Sequence, residues 1–378
     1  METIKTKVLI IGENLFSLFL SRLLTEDKIE SIIVSSNKSA MLINPLVKYY
    51  DINYFVNKNN FSDKIRNFLG DIMLSCSEGL KPLEALYTTG DIVNCSAIYR
   101  QHNYYEECKR ENQKITFVHI ENLQDITEPS ANNNFDSFKI KILHKDKIYS
   151  VSELASILDR EDEGLKNLAD EINKYRKESN SLLVLPPVLG MSRTEYITDY
   201  LSKDTGSRIF EALTFNPTVI TRRFYNILRK YREKENIKVI YENIIKTKIE
   251  HKYIKNITTD NYQITPEIVI LASERFVEGG LSIRENKVCE PLFNLPVFFR
   301  KNKNDISYFT EEDILGSHNF LSCGIKTDDN FKPVDIFGYP SYQNLCSIGS
   351  IIINNQDILK NLCDVGILFS IIKNTLSK

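Results

Sequence analysis

"KVLIIGENLFSLFLSRLL", Lys7 to Leu24, is the stretch that decides the fold. Val8-Leu9-Ile10-Ile11 is an unbroken apolar run, as a strand buried on both faces requires. The run ends at Gly12, and apolar residues then recur at helical spacing as far as Leu24. A strand, a glycine turn and an amphipathic helix open a dinucleotide-binding βα unit, whose full fingerprint is G-x-G-x-x-G. Here the turn reads Gly12-Glu13-Asn14-Leu15-Phe16-Ser17. The first glycine is kept, and Asn14 and Ser17 stand in the places of the second and third.

The three glycines have different tasks. The first makes the tight turn, and Gly12 retains it. The second lets the backbone approach a pyrophosphate. Asn14 is the least damaging replacement there if φ is positive, because Asn tolerates the left-handed region. The third packs helix against strand, and Ser17 is small enough for that. The helix N-terminus favours an anion, whereas Glu13 repels one unless it points away. After the second strand, "SIIVS" at 31–35, an acidic residue usually holds the ribose hydroxyls. This chain has Ser35, Ser36, Asn37 and Lys38 instead. The serines offer hydrogen bonds to a ribose or phosphate, and Lys38 offers a neutralising charge. These residues alone leave two readings level: a flavin site, or a strand-turn-helix that holds no ligand.

The rest of the chain sets limits on both. Its 378 residues allow two domains, and 48 basic against 50 acidic residues give a net charge of −2. That balance speaks against a nucleic-acid partner. Seven cysteines are scattered without a C-x-x-C pair, so neither zinc nor iron–sulfur spacing is present and no metal is expected. Such a set reads as reduced thiols in a cytoplasmic protein. The charged segment before the first strand is not a signal peptide. No uncharged apolar run approaches the roughly 20 residues of a membrane span. No Ser-His-Asp arrangement can be assembled.

Strand 7–11, helix 15–25 and strand 31–35 form a βαβ unit with parallel strands. "NNNF", Asn132 to Phe135, marks a loop. A charged helix is expected from Asp159 with its apolar stripe at Leu165, Leu168, Ile172 and Tyr175. "SLLVLPPVLGM", Ser181 to Met191, is a buried strand stopped by Pro186-Pro187. A helix from Arg222 carries Phe224, Ile227, Leu228 and Tyr231. From Ile237 to Glu274 come alternating strands, with turn signals at Thr258, Asp260 and Asn261, and then the apolar strand 268–271. That strand ends in Ala272-Ser273-Glu274, where a flavoprotein normally has a glycine. "NLCSIGSIII" at 344–353 is a strand and a Gly-Ser turn, followed by a helix over 358–376.

In order and detail these pieces resemble one family, the B-type subunit of the anaerobic glycerol-3-phosphate dehydrogenase. The resemblance is carried by "KVLIIGENL" at 7–15, "LLVLPPVLGM" at 182–191, "NPTVITRRFYNIL" at 216–228, "IVILASERFVEGGLSIRENKVCEPLFNLPV" at 268–297, "CGIKTDDNFKP" at 323–333 and "NLCSIGSI" at 344–351. The resemblance implies an α/β protein with a discontinuous Rossmann-like FAD-binding domain, of the three-layer glutathione-reductase kind. That domain is expected over 1–90, 225–275 and 320–378, with an inserted α+β region at 91–224 and 276–319. It further implies FAD or FMN held by Gly12, Asn14, Ser17, Ser35, Ser36, Lys38, Ala272, Ser273, Gly349 and Ser350. Lys326 would steady a reduced flavin, His318 would lie near the flavin edge, and Arg223 would bind a substrate phosphate. The implied partners are a catalytic flavoprotein subunit and an iron–sulfur subunit, with membrane association only through them. Two functions follow: a flavin-containing subunit of a glycerol-3-phosphate:quinone oxidoreductase, or a flavin-free scaffold subunit of the same kind of complex.

Overall fold

The computed structural model describes residues 1–36, 47–48, 61–76, 83–99, 102, 104–111, 113–124, 126, 135–144, 146–176, 181–214, 218–276, 278–299, 323–353 and 358–377. The chain divides into two compact units. One comprises Met1–Leu42, Tyr54–Ile65 and Lys230–Lys378, and the other Ile43–Asn53 and Arg66–Arg229.

The first unit begins with strand β1 (Glu2–Ile11), helix α1 (Leu15–Glu26) and strand β2 (Ser31–Ser35). Val8, Leu9 and Ile10 are wholly buried, and Ile11 is 4% exposed. Both faces of β1 are therefore covered, which explains the unbroken apolar run. β1 and β2 pair in parallel, Leu9 opposite Ile32. α1 is buried almost all round, from Leu15 to Leu24.

The second unit has its own parallel sheet. Strands β3 (Ile115–Ile120), β4 (Asp136–Ile140), β5 (Leu182–Leu185) and β6 (Arg208–Glu211) lie in the order β6-β5-β3-β4. Helices α2 (Val151–Arg160), α3 (Asp162–Tyr175) and α4 (Thr194–Thr205) pack their apolar stripes on it. The helix expected from Asp159 is α3, beginning at Asp162, and α2 before it is a helix that the sequence reading does not include. Glu161, extended at φ −120 and ψ 106, separates them. Leu165, Leu168 and Ile172 are buried as read, but Tyr175 is 43% exposed and lies off the stripe. Of the expected loop at 132–135, only Phe135 is among the described residues. A separate antiparallel sheet pairs the strand Ile92–Tyr99 with Leu74–Cys76 and Leu83–Leu86.

Helix α5 (Thr218–Lys234) leads back to the first unit. Strand β7 (Val239–Tyr241) pairs in parallel with β2. Strands β8 (Ile244–Glu250), β9 (Tyr253–Thr259) and β10 (Tyr262–Leu271) then form the expected meander. Its first turn, at His251-Lys252, has both residues at positive φ, 50 and 61. β10 runs parallel to β1 along one edge. Its other edge is shared between β9, antiparallel at its start, and β11 (Leu345–Ser347), parallel at its end. The parallel order is therefore β7-β2-β1-β10-β11, with β1 at the centre. Helix α6 (Ile358–Leu376) packs against α1. On the opposite face Leu9, Ile11, Val34 and Leu271 meet Ile254, Ile257 and Ile264 of the meander. Each such side chain contributes about 1.5–3 kcal/mol by leaving water. Helix layer, parallel sheet and meander make the discontinuous Rossmann-like, three-layer frame expected from the sequence. No described helix is long and apolar enough to cross a membrane.

Candidate functional site

β1 lies between β2, its next strand in the chain, and β10, which arrives much later. In open α/β sheets, ligands bind outside the carboxyl ends of the strands at such a switch point. A cleft of about 360 Å³ opens here, and Gly12, Ser35, Ser36, Ser273 and Glu278 are among its lining residues. Four residues predicted from the sequence, on three separate strand ends, thus border one cavity.

The turn itself departs from a dinucleotide site. Gly12 has φ +102, and a Cβ there would fall 2.6 Å from the Cα of Ser273, so glycine is obligatory. Asn14 is extended, with φ −151 and ψ −176, so the expected route of a positive φ is not taken. Asn14 caps α1 instead: its Oδ1 accepts from the backbone N–H groups of Phe16 at 3.1 Å and Ser17 at 3.2 Å. The backbone N–H of Asn14 donates to Ser17 Oγ at 2.8 Å, closing a reciprocal capping box. Asn14 Nδ2 donates to Ala272 O at 2.6 Å and to Glu278 Oε2 at 3.3 Å. The second and third fingerprint positions are thus occupied by side chains that satisfy the helix end internally.

Glu13 points away from the turn. Its carboxylate, 2% exposed, is held by Arg232 Nη1 at 2.9 Å and by the Tyr241 hydroxyl at 2.7 Å. Burial raises its pKa, and the Arg232 charge opposes the shift. Glu278 Oε2 also accepts from the N–H of Glu274 at 2.8 Å, while Oε1 has no hydrogen-bond partner among the described residues. Burial pushes Glu278 up to about 8, helped by the Glu274 and Glu13 charges. Glu274 rises to about 7, again through burial. Nothing local in "ERFVEGG" marks Glu278 as a site residue, because its partner Asn14 is 264 residues away.

A pH dependence follows. The ordinary value for both carboxyls is 4.5, and the folded values are about 8 and about 7. Between these limits the folded chain binds more protons than the unfolded one, so stability falls as pH rises. We expect urea unfolding to show a decline of a few kcal/mol from pH 5 to pH 8, on the scale of about 1.4 kcal/mol per pKa unit. Glu278→Gln removes the larger part of that slope. A slope unchanged in this variant would show that Glu278 is not its source.

The remaining expected residues fall elsewhere. Gly349, at φ +82, packs on Phe16, whose ring Cδ2 would lie 2.9 Å from an added Cβ. Ser350 follows it in a short 3-10 turn. Lys326 is exposed, with its ammonium 6.0 Å from the ring centre of Phe298, and is not among the residues that line the cleft. Lys38 and His318 lie outside the described residues. Arg223 belongs to the second unit and is 2% exposed. Its guanidinium forms a two-pronged pair with Glu211, one arm at 3.0 Å, and donates to Gly190 O at 2.6 Å. Glu211 Oε1 also accepts from the N–H of Leu189 at 2.6 Å. The expected phosphate contact at Arg223 is therefore replaced by a structural one: the pair pins the "PPVLG" loop to the end of β6.

A flavin nucleotide fits this frame in its nucleoside half and not in its phosphate half. The tight turn, the cleft and the hydroxyls at the end of β2 suit a ribose and base. The N–H donors that would receive a phosphate are taken by Asn14, and the carboxyl group of Glu278 lies beside them.

No family model matches the chain. Among curated proteins it is similar to one from Yersinia pseudotuberculosis named as the B-type subunit of anaerobic glycerol-3-phosphate dehydrogenase, with 24% identity over 218 residues, covering 57% of this chain and 49% of the relative. The Pectobacterium atrosepticum protein of that name is 22% identical over 218 residues, covering 57% and 50%. The one from Vibrio vulnificus is 23% identical over 209 residues, covering 53% and 46%. The chain thus spans about half the length of the curated relatives it matches. Among solved structures it is similar to pqsL of Pseudomonas aeruginosa, described as a probable FAD-dependent monooxygenase, with TM-score 0.37, 9% identity and coverage of 99% and 87%. It is also similar to a thioredoxin reductase from Gloeobacter violaceus, with TM-score 0.24, 10% identity and coverage of 99% and 95%. The resemblance read from the sequence is thus found again over about 57% of the chain, which is distantly similar to the proteins named as the B-type subunit of anaerobic glycerol-3-phosphate dehydrogenase.

Proposed function

We propose that the chain is a subunit of an oxidoreductase complex of the kind its curated relatives are named for, an anaerobic glycerol-3-phosphate dehydrogenase, with a quinone as its acceptor. Its task is to pass reducing equivalents towards a partner. The observation that carries this reading is the cleft at the carboxyl ends of β1, β2 and β10, where sheets of this topology take a nucleotide cofactor. In the flavin-containing form, FAD or FMN supplies the redox chemistry, and Ser35 and Ser36 face its nucleoside end. That form requires the Asn14 side chain to leave the end of α1. A second reading, the flavin-free scaffold subunit, is favoured by the capping box that Asn14 and Ser17 make there.

The partners are a catalytic flavoprotein subunit and an iron–sulfur subunit. One surface feature supports docking to a protein. Asp335 Oδ1 accepts from the N–H groups of Phe337 and Tyr339, at 2.9 and 3.0 Å, and so stiffens a turn. That turn presents Ile336, Phe337 and Tyr339 at 71%, 78% and 68% exposure. Three large apolar side chains on one ordered turn match the anchor residues of an interface. Purification from the native cells tests the proposal. We expect a heterocomplex by native mass measurement and reduced recovery of the partner with Phe337→Ser, while a flavin absorption band carried by this chain after separation from its partners selects the flavin-containing form. A chain that co-purifies with its partners but is colourless once separated from them selects the scaffold reading. A monomer or homo-oligomer without flavin overturns both.

A further inference from the structure

We propose that the cleft beside Gly12 takes an uncharged nucleoside and excludes its phosphorylated forms. The inference rests on reading this cleft as the ligand site, and it goes further by naming the ligand class. Two features of the cavity point to a base and sugar. Phe276, Leu292 and Ile244 supply apolar wall for a planar ring, and the end of β2 supplies the hydroxyls of Ser35 and Ser36. Glu278 lines the same cavity and adds a polar side chain to that wall.

Two other features turn a phosphate away. The helix end that would bind it is closed, because Asn14 Oδ1 accepts from both Phe16 and Ser17. The described residues lining the cavity include no lysine or arginine, whereas Glu242 and Glu278 bring two carboxyl groups. Glu242 is fixed in place by Thr259 Oγ1 at 2.6 Å and Asn261 Nδ2 at 2.6 Å, so it stays at the rim. A phosphate entering here would lose its water shell, meet like charge at Glu242 and find no cationic donor among the described lining residues.

Titration calorimetry of the full chain with adenosine, AMP and FAD tests this. We expect adenosine to bind at least about tenfold more tightly than either phosphorylated probe, a difference of about 1.4 kcal/mol. Asn14→Gly frees the helix end and removes the amide donor to Ala272 O and Glu278, at a folding cost of about 1–3 kcal/mol. In that variant AMP and FAD should gain about tenfold while adenosine is unchanged. Ser36→Trp, at a half-buried position on the rim, should abolish adenosine binding, with circular dichroism reporting that the fold is kept. AMP or FAD binding the unaltered chain as tightly as adenosine would overturn the proposal. So would adenosine giving no heat at millimolar concentration, or binding undiminished in Ser36→Trp. These outcomes are independent of whether the chain co-purifies with a partner, so this proposal and the proposed function can fail separately.

Discussion

Replacing Arg223 by methionine lowers the stability of the second unit by about 3–5 kcal/mol, the usual cost of leaving one member of a buried ion pair alone. Arg223 and Glu211 are each 2% exposed, and between them they hold Leu189 N and Gly190 O. Loss of the guanidinium strands the Glu211 carboxylate in a site that keeps, among the described residues, the Leu189 N–H, and frees the loop after β5. The double variant Arg223→Met with Glu211→Leu should recover much of the loss, because neither charge then has to be desolvated. Urea denaturation followed by far-UV circular dichroism measures both. A loss below about 1 kcal/mol in the single variant would be the behaviour of an exposed pair and would contradict this placement. Adenosine binding at the cleft of the first unit should be unaffected.

Gly12→Ala has a comparable effect on the first unit. The residue sits at φ +102, and the added Cβ would lie 2.6 Å from Ser273 Cα and 2.7 Å from Ser273 N, both backbone atoms. Neither strain can be relieved by rotating a side chain. Left-handed strain and overpacking each cost about 1–3 kcal/mol, so a loss of about 3 kcal/mol or more is expected. Because the turn borders the cleft, ligand binding should disappear with it. Thermal unfolding and calorimetry on the same sample check both effects. An alanine variant of unchanged stability would mean that β1 and β10 are not held together at this turn as described.

The elements around that turn are legible in the sequence because their signals are local. The apolar run at 8–11 and the helical spacing that follows are set by burial on a sheet and beneath a helix. Both emerge where expected, as do the strand Ser31–Ser35 and the helix Ile358–Leu376. The start of α3 is misplaced by a few residues and α2 is missed because the charged run continues across Glu161 without a proline or glycine to mark the break between them.

The site is legible in part. Gly12, Ser35, Ser36 and Ser273 come together because each stands at the carboxyl end of a strand or in the turn after it, and strand ends can be read from apolar runs. What Asn14 and Arg223 do cannot be read in that way. An asparagine after a glycine turn is equally suited to a positive φ or to a helix cap. The choice is made by Ala272 and Glu278, far along the chain, which engage its amide nitrogen. An arginine near a helix start serves equally as an anion ligand or a buried strut, and Glu211 at the end of β6 makes it the latter. Periodicity and turn chemistry act between neighbours in the chain, and so they specify the strands, helices and frame. The partner of a polar side chain is set by which distant segments the packed core brings within about 3 Å, and no local pattern encodes that distance.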